Sequence, residues 1–384
     1  MITALINGRV LGDAGFEHDK AVLLQEDRIV DVVDPGDPRV SRAQHVDLQG
    51  RLLMPGFIDV QVNGGGGALF NDDPSIESIR RIGEAHRRFG TTGFLPTLIS
   101  DDLHVMSRAI AAVKAAIEAR VPGVLGIHIE GPFLNEARKG VHDATKFREL
   151  DDDAIALLAS LDHGRTLVTL APEMTTPKMI RKLVRAGVTV SAGHTNAGYA
   201  DMRAALAEGL CGFTHLFNAM SQLNGREPGA VGAALEDDTS WCGIISDGIH
   251  VHPAALRVAY RCRPRDRFVL VTDAMPSVGS DQQRFSLQGR TIEVDGLVCV
   301  DQDGRLAGSN MNMAIAVRNA ASILDIDLAE AVRMASTYPA AFLKLEHELG
   351  RIASGYRANL VLADEQMNVA ATWIDGRTCG RVAG

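Results

Sequence analysis

GVLGIHIE (Gly123–Glu130), LVTLAP (Leu167–Pro172), VTVSAGH (Val188–His194), GFTH (Gly212–His215), CGIISDGIH (Cys242–His250) and FVLVTD (Phe268–Asp273) succeed one another along the middle of the chain, each a short apolar run. Between them lie helical patterns such as PKMIRKLVRAG (177–187) and YADMRAALAEG (199–209), with apolar residues spaced three and four apart. LMPGFIDVQVN (53–63) and TTGFLPTLI (91–99) extend the series upstream, which makes about eight repeats. Strands alternating with helices predict a parallel sheet, and eight of them favour a closed (β/α)8 TIM-like barrel over an open doubly wound sheet.

The two chain ends are written differently. ALINGRVL (4–11), AVLLQEDRIVDVV (21–33) and HVDLQGRLL (45–53) are alternating runs broken by Gly, Asp and Pro, and ANLVLADEQMNVAATWIDGR (358–377) repeats the style near the other end. One small β-sandwich domain built from both termini accounts for this. It gives boundaries of 1–52 and 345–384 for the β domain and 53–344 for the barrel. FSLQGRTIEVDGLVCVDQDGRL (285–306) reads as hairpins, an excursion before a last helical portion. The tetraglycine Gly64–Gly67 sits just after a strand and predicts a tight loop near a ligand rather than a linker.

Composition narrows the function classes. The 384 residues carry a formal net charge of −9, which opposes nucleic acid as a partner, because such affinity comes from Lys and Arg neutralising phosphates. A local pocket can still hold one small anion. No run approaches the roughly 20 apolar residues of a membrane span, and MITALINGRV lacks the layout of a signal peptide. The five cysteines show no CxxC spacing, so neither a disulfide framework nor a thiolate metal site is expected. A cytoplasmic protein fits these features.

In a barrel of this type the active site forms at the C-terminal strand ends. The run ending at residue 130 closes on Glu130, and three others close on His194, His215 and Asp273. One such residue alone is more often structural, since a lone histidine after an apolar run is commonly a satisfied core group. Four at equivalent topological points are hard to explain by packing, because buried ionisable groups without partners are costly. Glu130, His194 and His215 suit a zinc-like divalent ion with a position left open for water. Asp273 is the candidate general base and then general acid, with a further metal ligand or helix cap as its structural alternative.

MPGFIDVQVNGGGG, HIEGPFLN, AGHTNA, THLFNAM, SDGIHV, VTDAM and LAGS, spread from Met54 to Ser309, resemble the N-acetylglucosamine-6-phosphate deacetylase family of the amidohydrolase superfamily. The resemblance implies hydrolysis of the acetamide of N-acetylglucosamine 6-phosphate, with one divalent metal ion per subunit. Zinc is the first candidate, and iron, manganese or cobalt also accept this ligand set. Most of the superfamily carries His-x-His at the end of the first barrel strand, where this chain has Gln61-Val62-Asn63. An amide is a poor ligand beside an imidazole, so a single-metal site follows; Gln61 and Asn63 then contact substrate or metal, or hydrogen-bond the ligands. The resemblance further implies that His142 binds the acetyl carbonyl and stabilises the oxyanion, its plain alternative being an exposed loop histidine. It assigns the phosphate to Asn218, Ala219, Arg226 and His250. Arg226 could equally be an ordinary surface residue in its Gly/Pro loop. In families of this kind such a loop also reaches a neighbouring subunit, which points to a homodimer. Ser309 and Met311, with Met313, border the acetyl group or pack in the core. Asn310 and Asn312 depart from the family pattern.

Three other readings compete. Hydantoinase or dihydroorotase types use His-x-His and a carboxylated lysine, and no Lys closes a barrel strand here. The epimer N-acetylgalactosamine 6-phosphate differs by one hydroxyl orientation. A non-catalytic sugar-phosphate-binding regulator would have lost a ligand or Asp273, and this chain retains all four positions.

Overall fold

The computed structural model describes residues 1–380. Eight parallel strands pair in chain order: β1 (Phe57–Val62), β2 (Thr91–Ile99), β3 (Gly126–Glu130), β4 (Arg165–Leu170), β5 (Thr189–Ala192), β6 (Gly212–Phe213), β7 (Trp241–Ile244) and β8 (Phe268–Leu270). A parallel bridge between Val62 and Ala274 brings the segment after the last strand against the first, so the barrel is nearly closed. Every residue of β1, β2 and β3 is buried. Strands covered on both faces are mostly apolar, which is why they read as near-continuous runs rather than alternations.

A helix follows each strand: α1 (Ile76–Arg87), α2 (Leu103–Glu118), α3 (Asp152–Leu158), α4 (Pro177–Arg185), α5 (Tyr199–Ala207), α6 (Gly229–Glu236), α7 (Pro253–Cys262) and α8 (Met313–Leu324). Side-chain caps fix the starts of several of them. Ser75, Asp151, Thr176 and Asn312 accept hydrogen bonds from the backbone N–H of Ser78, Ala154, Met179 and Ile315, each cap contributing about 1 kcal/mol. Asn312, which departs from the family pattern, is therefore the cap of α8. Asn310 donates its amide to the Gly296 carbonyl at 3.1 Å.

Outside the barrel, strands from both ends of the chain join one sheet. Leu52–Pro55 lies between Ile2–Gly12, its parallel partner, and Leu360–Ala363, its antiparallel partner. Successive side chains alternate faces, and both faces are covered: Val22 and Leu24 pack with Leu53, Leu360 and Trp373, whereas Ala21 and Leu23 pack with Ala4 and Val40. A separate four-stranded sheet, from Arg284 to Ser309, forms the expected excursion between β8 and α8. Its last strand returns beside Ala274, where Ser309 makes a parallel bridge. Among the described residues no helix is long and apolar enough to cross a membrane.

Candidate active site

The C-terminal ends of the barrel strands open on a cleft of about 420 Å³. Glu130 is the last residue of β3, His194 lies two residues past β5, His215 two past β6 and Asp273 three past β8. His194, His215 and Asp273 each take a left-handed backbone, with φ of 50°, 34° and 51°. Side chains rarely adopt this conformation, and it concentrates at functional sites where the surroundings over-determine it. Here it turns each side chain off the end of its strand and into the cleft mouth.

Glu130, His194 and His215 converge. Their ligand atoms are 3.1 Å apart for His194 Nε2 and Glu130 Oε1, 3.0 Å for His215 Nε2 and the same oxygen, and 3.1 Å for the two Nε2 atoms. The Arg138 carbonyl lies 2.9 Å from His194 Nδ1 and can only accept, so in the neutral ring the proton is on Nδ1 and a lone pair occupies Nε2. That lone pair then faces a carboxylate oxygen, an arrangement that repels unless a cation lies among the three atoms. Zinc bonds of about 2.0–2.2 Å in a tetrahedron give ligand–ligand edges of roughly 3.3–3.5 Å, close to the spacings seen. The residues present therefore fit a divalent ion by donor type, burial and separation.

The charges inside this group are mutually adjusted. Burial disfavours the Glu130 carboxylate, but its contacts with the His194 and His215 rings outweigh it and hold the acid well below its usual range. For His215, burial favours the neutral ring, yet the Glu130 partner and the Asp273 charge together raise its pKa. Asp273 is raised by burial first and by the Glu130 charge second. A nearby cation would oppose both causes for Asp273.

Gln61 and Asn63 act as hydrogen-bond donors to the carboxylates. Gln61 Nε2 reaches Glu130 Oε2 at 3.1 Å and Asp273 Oδ1 at 3.3 Å, and Asn63 Nδ2 reaches the same Asp273 oxygen at 2.6 Å. Asp273 caps no helix; two amides hold its carboxylate above the Glu130 cluster. His142 is buried rather than exposed. Its ring lies 4.4 Å from that of His194. The Ser100 backbone N–H donates to its Nδ1 at 3.4 Å and the Ser100 hydroxyl lies 2.7 Å from the same atom, which puts the ring proton on Nε2. Burial, with His194 adding to it, keeps this ring neutral by holding its pKa well below the ordinary value.

Asn218, Ala219 and His250 also line the cleft. Phe217 and Ala219 have φ of 77° and 50°, which makes the segment after His215 a tight turn. His250 Nδ1 pairs with Asp247 at the start of the loop, leaving Nε2 for a ligand. Other expected residues do not line the cleft. Arg226 is exposed on the loop before α6. Ser309 is fully buried, its hydroxyl donating to the Thr272 carbonyl and its backbone N–H to Asp273. Met311 and Met313 belong to the barrel core. Leu306 and Gly308, just before them, reach the cleft instead. Ser309 and Met311, expected to border the acetyl group, are turned into the interior instead, and the returning strand presents Leu306 and Gly308 to the cleft.

Sequence reasoning passed over Ser100, Arg138 and Asp247. Ser100 directly follows TTGFLPTLI and Asp247 lies in SDGIHV, so both sit at the strand ends that the barrel rule marks. Arg138 acts through its carbonyl, which no side-chain pattern shows.

Residues 52–379 match the amidohydrolase family. The chain is 46% identical over 332 residues to an N-acetylgalactosamine-6-phosphate deacetylase of Shewanella sp. (strain ANA-3), covering 86% of this chain and 84% of that one. It is 34% identical to an N-acetylglucosamine-6-phosphate deacetylase of Haemophilus influenzae, covering 97% and 98% of the two chains. A crystal structure of N-acetylglucosamine-6-phosphate deacetylase from Pasteurella multocida superposes with a TM-score of 0.95 at 34% identity, covering 99% of this chain and 100% of that one. Matches of this length and identity establish that the chain belongs to the amidohydrolase family, in its group of N-acetylated amino-sugar-6-phosphate deacetylases.

Proposed function

We propose that the protein hydrolyses the acetamide of N-acetylglucosamine 6-phosphate to glucosamine 6-phosphate and acetate. The observation that carries this reading is the convergence of Glu130, His194 and His215 under an Asp273 carboxylate held by two amide donors. Those three side chains would hold one divalent ion, zinc being our assignment on the mixed nitrogen and oxygen donor set, with iron, manganese and cobalt compatible. When bound, such an ion supplies Lewis acidity to the acetyl carbonyl and makes water acidic enough to attack near neutral pH.

The remaining steps belong to the chain. Asp273 Oδ1, fixed by Gln61 and Asn63, takes a proton from the attacking water and returns it to the departing amine nitrogen, which leaves poorly unless protonated. His142, neutral and carrying its proton on Nε2, donates to the acetyl oxygen as negative charge builds there. Asn218, Ala219 and His250 bind the 6-phosphate, with Asp247 orienting the His250 ring. Arg226 is exposed on its own subunit, and we assign it to the phosphate of a neighbouring subunit in a homodimer.

The 46% identity to an N-acetylgalactosamine-6-phosphate deacetylase favours a second reading, in which the galacto epimer is the preferred substrate. Acetate release from both epimers and from the unphosphorylated sugar, with and without chelator, tests these statements. Loss of the phosphate is expected to reduce kcat/KM most, because the groups that face it would be left without a partner. Equal rates with and without phosphate would reject the phosphate assignment, and turnover undiminished by exhaustive chelation would reject the metal.

A further inference from the structure

The two histidines beside Glu130 are supported unequally. His194 has its outer nitrogen on the Arg138 carbonyl. His215 is 4% exposed, and its Nδ1 meets no hydrogen-bond partner in the protein. An unpaired buried nitrogen of this kind costs about 1–3 kcal/mol. It also leaves the ring tautomer unfixed, whereas ligating histidines almost always donate their second N–H to an acceptor.

Beneath His215, inside the barrel, lies a cavity of about 10 Å³ whose polar lining includes Gln61, His128, Ser191 and Thr214. That is about the volume one water molecule requires. Polar groups already run along this part of the barrel: His128 Nε2 lies 2.7 Å from Thr169 Oγ1, which lies 2.7 Å from Thr214 Oγ1. Val60, Leu167, Phe213, Val269, Val271 and Phe342 complete the lining, so the polar members are the ones that would hold a water there.

We propose that this cavity is a binding site for a single ordered water that accepts the proton of His215 Nδ1 and so turns the Nε2 lone pair toward Glu130 and His194. The water does for His215 what the Arg138 carbonyl does for His194. Its effect on metal affinity rests on the metal reading above; its position does not.

Gly243 lines the same cavity and allows a clean test. A Cβ built there lies 3.4 Å from His215 N and Phe213 O and 3.5 Å from Val271 Cγ1, which is ordinary contact, so Gly243→Ala adds a methyl without forcing the backbone. The first measurement is a crystal structure of the zinc-soaked wild-type protein at a resolution that shows waters. A density peak within hydrogen-bonding distance of His215 Nδ1 is expected, and it should be missing from Gly243→Ala. The second is zinc affinity by chelator competition, expected to fall about 10–100-fold in the variant, with thermal melting of the two metal-free proteins showing that both are folded. A wild-type map with no peak at that nitrogen overturns the proposal, as does a variant that loses the peak and binds zinc as tightly as wild type. Zinc found away from Glu130, His194 and His215 would overturn the metal reading instead, and the peak beside Nδ1 would still decide the water.

Discussion

Asp273 and His142 carry separable parts of the chemistry. Asp273→Asn keeps the shape of the side chain and removes its proton affinity, so kcat is expected to fall about 10²–10⁴-fold with little change in KM. An Asn variant with more than a tenth of wild-type kcat would remove Asp273 from the proton transfer. His142 works as a neutral donor whose tautomer is set by Ser100. Replacing it with Ala should reduce kcat about 10²–10³-fold, as loss of one oxyanion donor does. Ser100→Ala should have a smaller effect in the same direction, because the imidazole remains and only its orientation is loosened. If Ser100→Ala were more damaging than His142→Ala, the order of dependence argued here would be reversed. Asp273 and Ser100 lie at strand ends that the sequence marks. The sequence could not show that His142 is buried, since it lies in an irregular loop whose path depends on its contacts with the barrel.

The elements that position Asp273 are the first and last strands and the glycine loop beyond β1. The backbone N–H groups of Asn63 and Gly64 both donate to the Ala274 carbonyl at 2.9 Å, and those of Gly66 and Gly67 to the carbonyls of Val278 and Pro276. His86 of α1 holds the loop from the other side, its Nε2 lying 2.9 Å from the Gly64 carbonyl. A Cβ at Gly64 would lie 2.5 Å from the Ala68 carbonyl and 2.8 Å from Pro276 N, so Gly64→Ala must push on the segment that carries Asp273. Its kcat is expected to drop at least tenfold, from the sensitivity of catalysis to small misplacements. Gly36→Ala, where a Cβ meets nothing within 4 Å, should leave it unchanged. Equal effects of the two substitutions would show that the loop does not position the site. Deeper in the same seam, the fully buried Asp59 of β1 accepts hydrogen bonds from the backbone N–H groups of Gln61 and Thr272. Burial raises its pKa from 3.8 to about 7, despite the opposing hydrogen bond from the Thr272 hydroxyl. The folded state then holds a proton that the unfolded chain has released, so this group's contribution to stability falls as pH rises from about 4 to 7. Asp59→Asn removes that titration. The melting temperature of the metal-free variant should therefore gain on wild type across this window, and a pH-independent difference would refute the assignment.

At the scale of the whole molecule, the exposed position of Arg226 makes a prediction about assembly. In a homodimer where Arg226 serves the partner's phosphate, Arg226→Ala and Asp273→Asn are each defective alone. Mixed and reassociated in equal amounts, they should recover about a quarter of wild-type activity, since half the dimers are mixed and one of their two sites is intact. A mixture no more active than the mean of its parents would place Arg226 outside the neighbouring site. The sequence by itself determined the barrel, the β domain drawn from both chain ends and the placement of Glu130, His194, His215 and Asp273 at the ends of barrel strands. It could do so because strand and helix periodicity are local, and the barrel rule converts a strand end into a place in the active site. Only the tertiary structure decided that side chains 64 and 85 residues apart meet at 3.0–3.1 Å. It also decided that Gln61 and Asn63 donate to carboxylates, and that Ser309 and Met311 turn into the interior while Leu306 and Gly308 reach the cleft. Those outcomes depend on how the barrel closes between Val62 and Ala274 and on the direction each loop leaves its strand, and both are set by contacts between segments far apart in the chain.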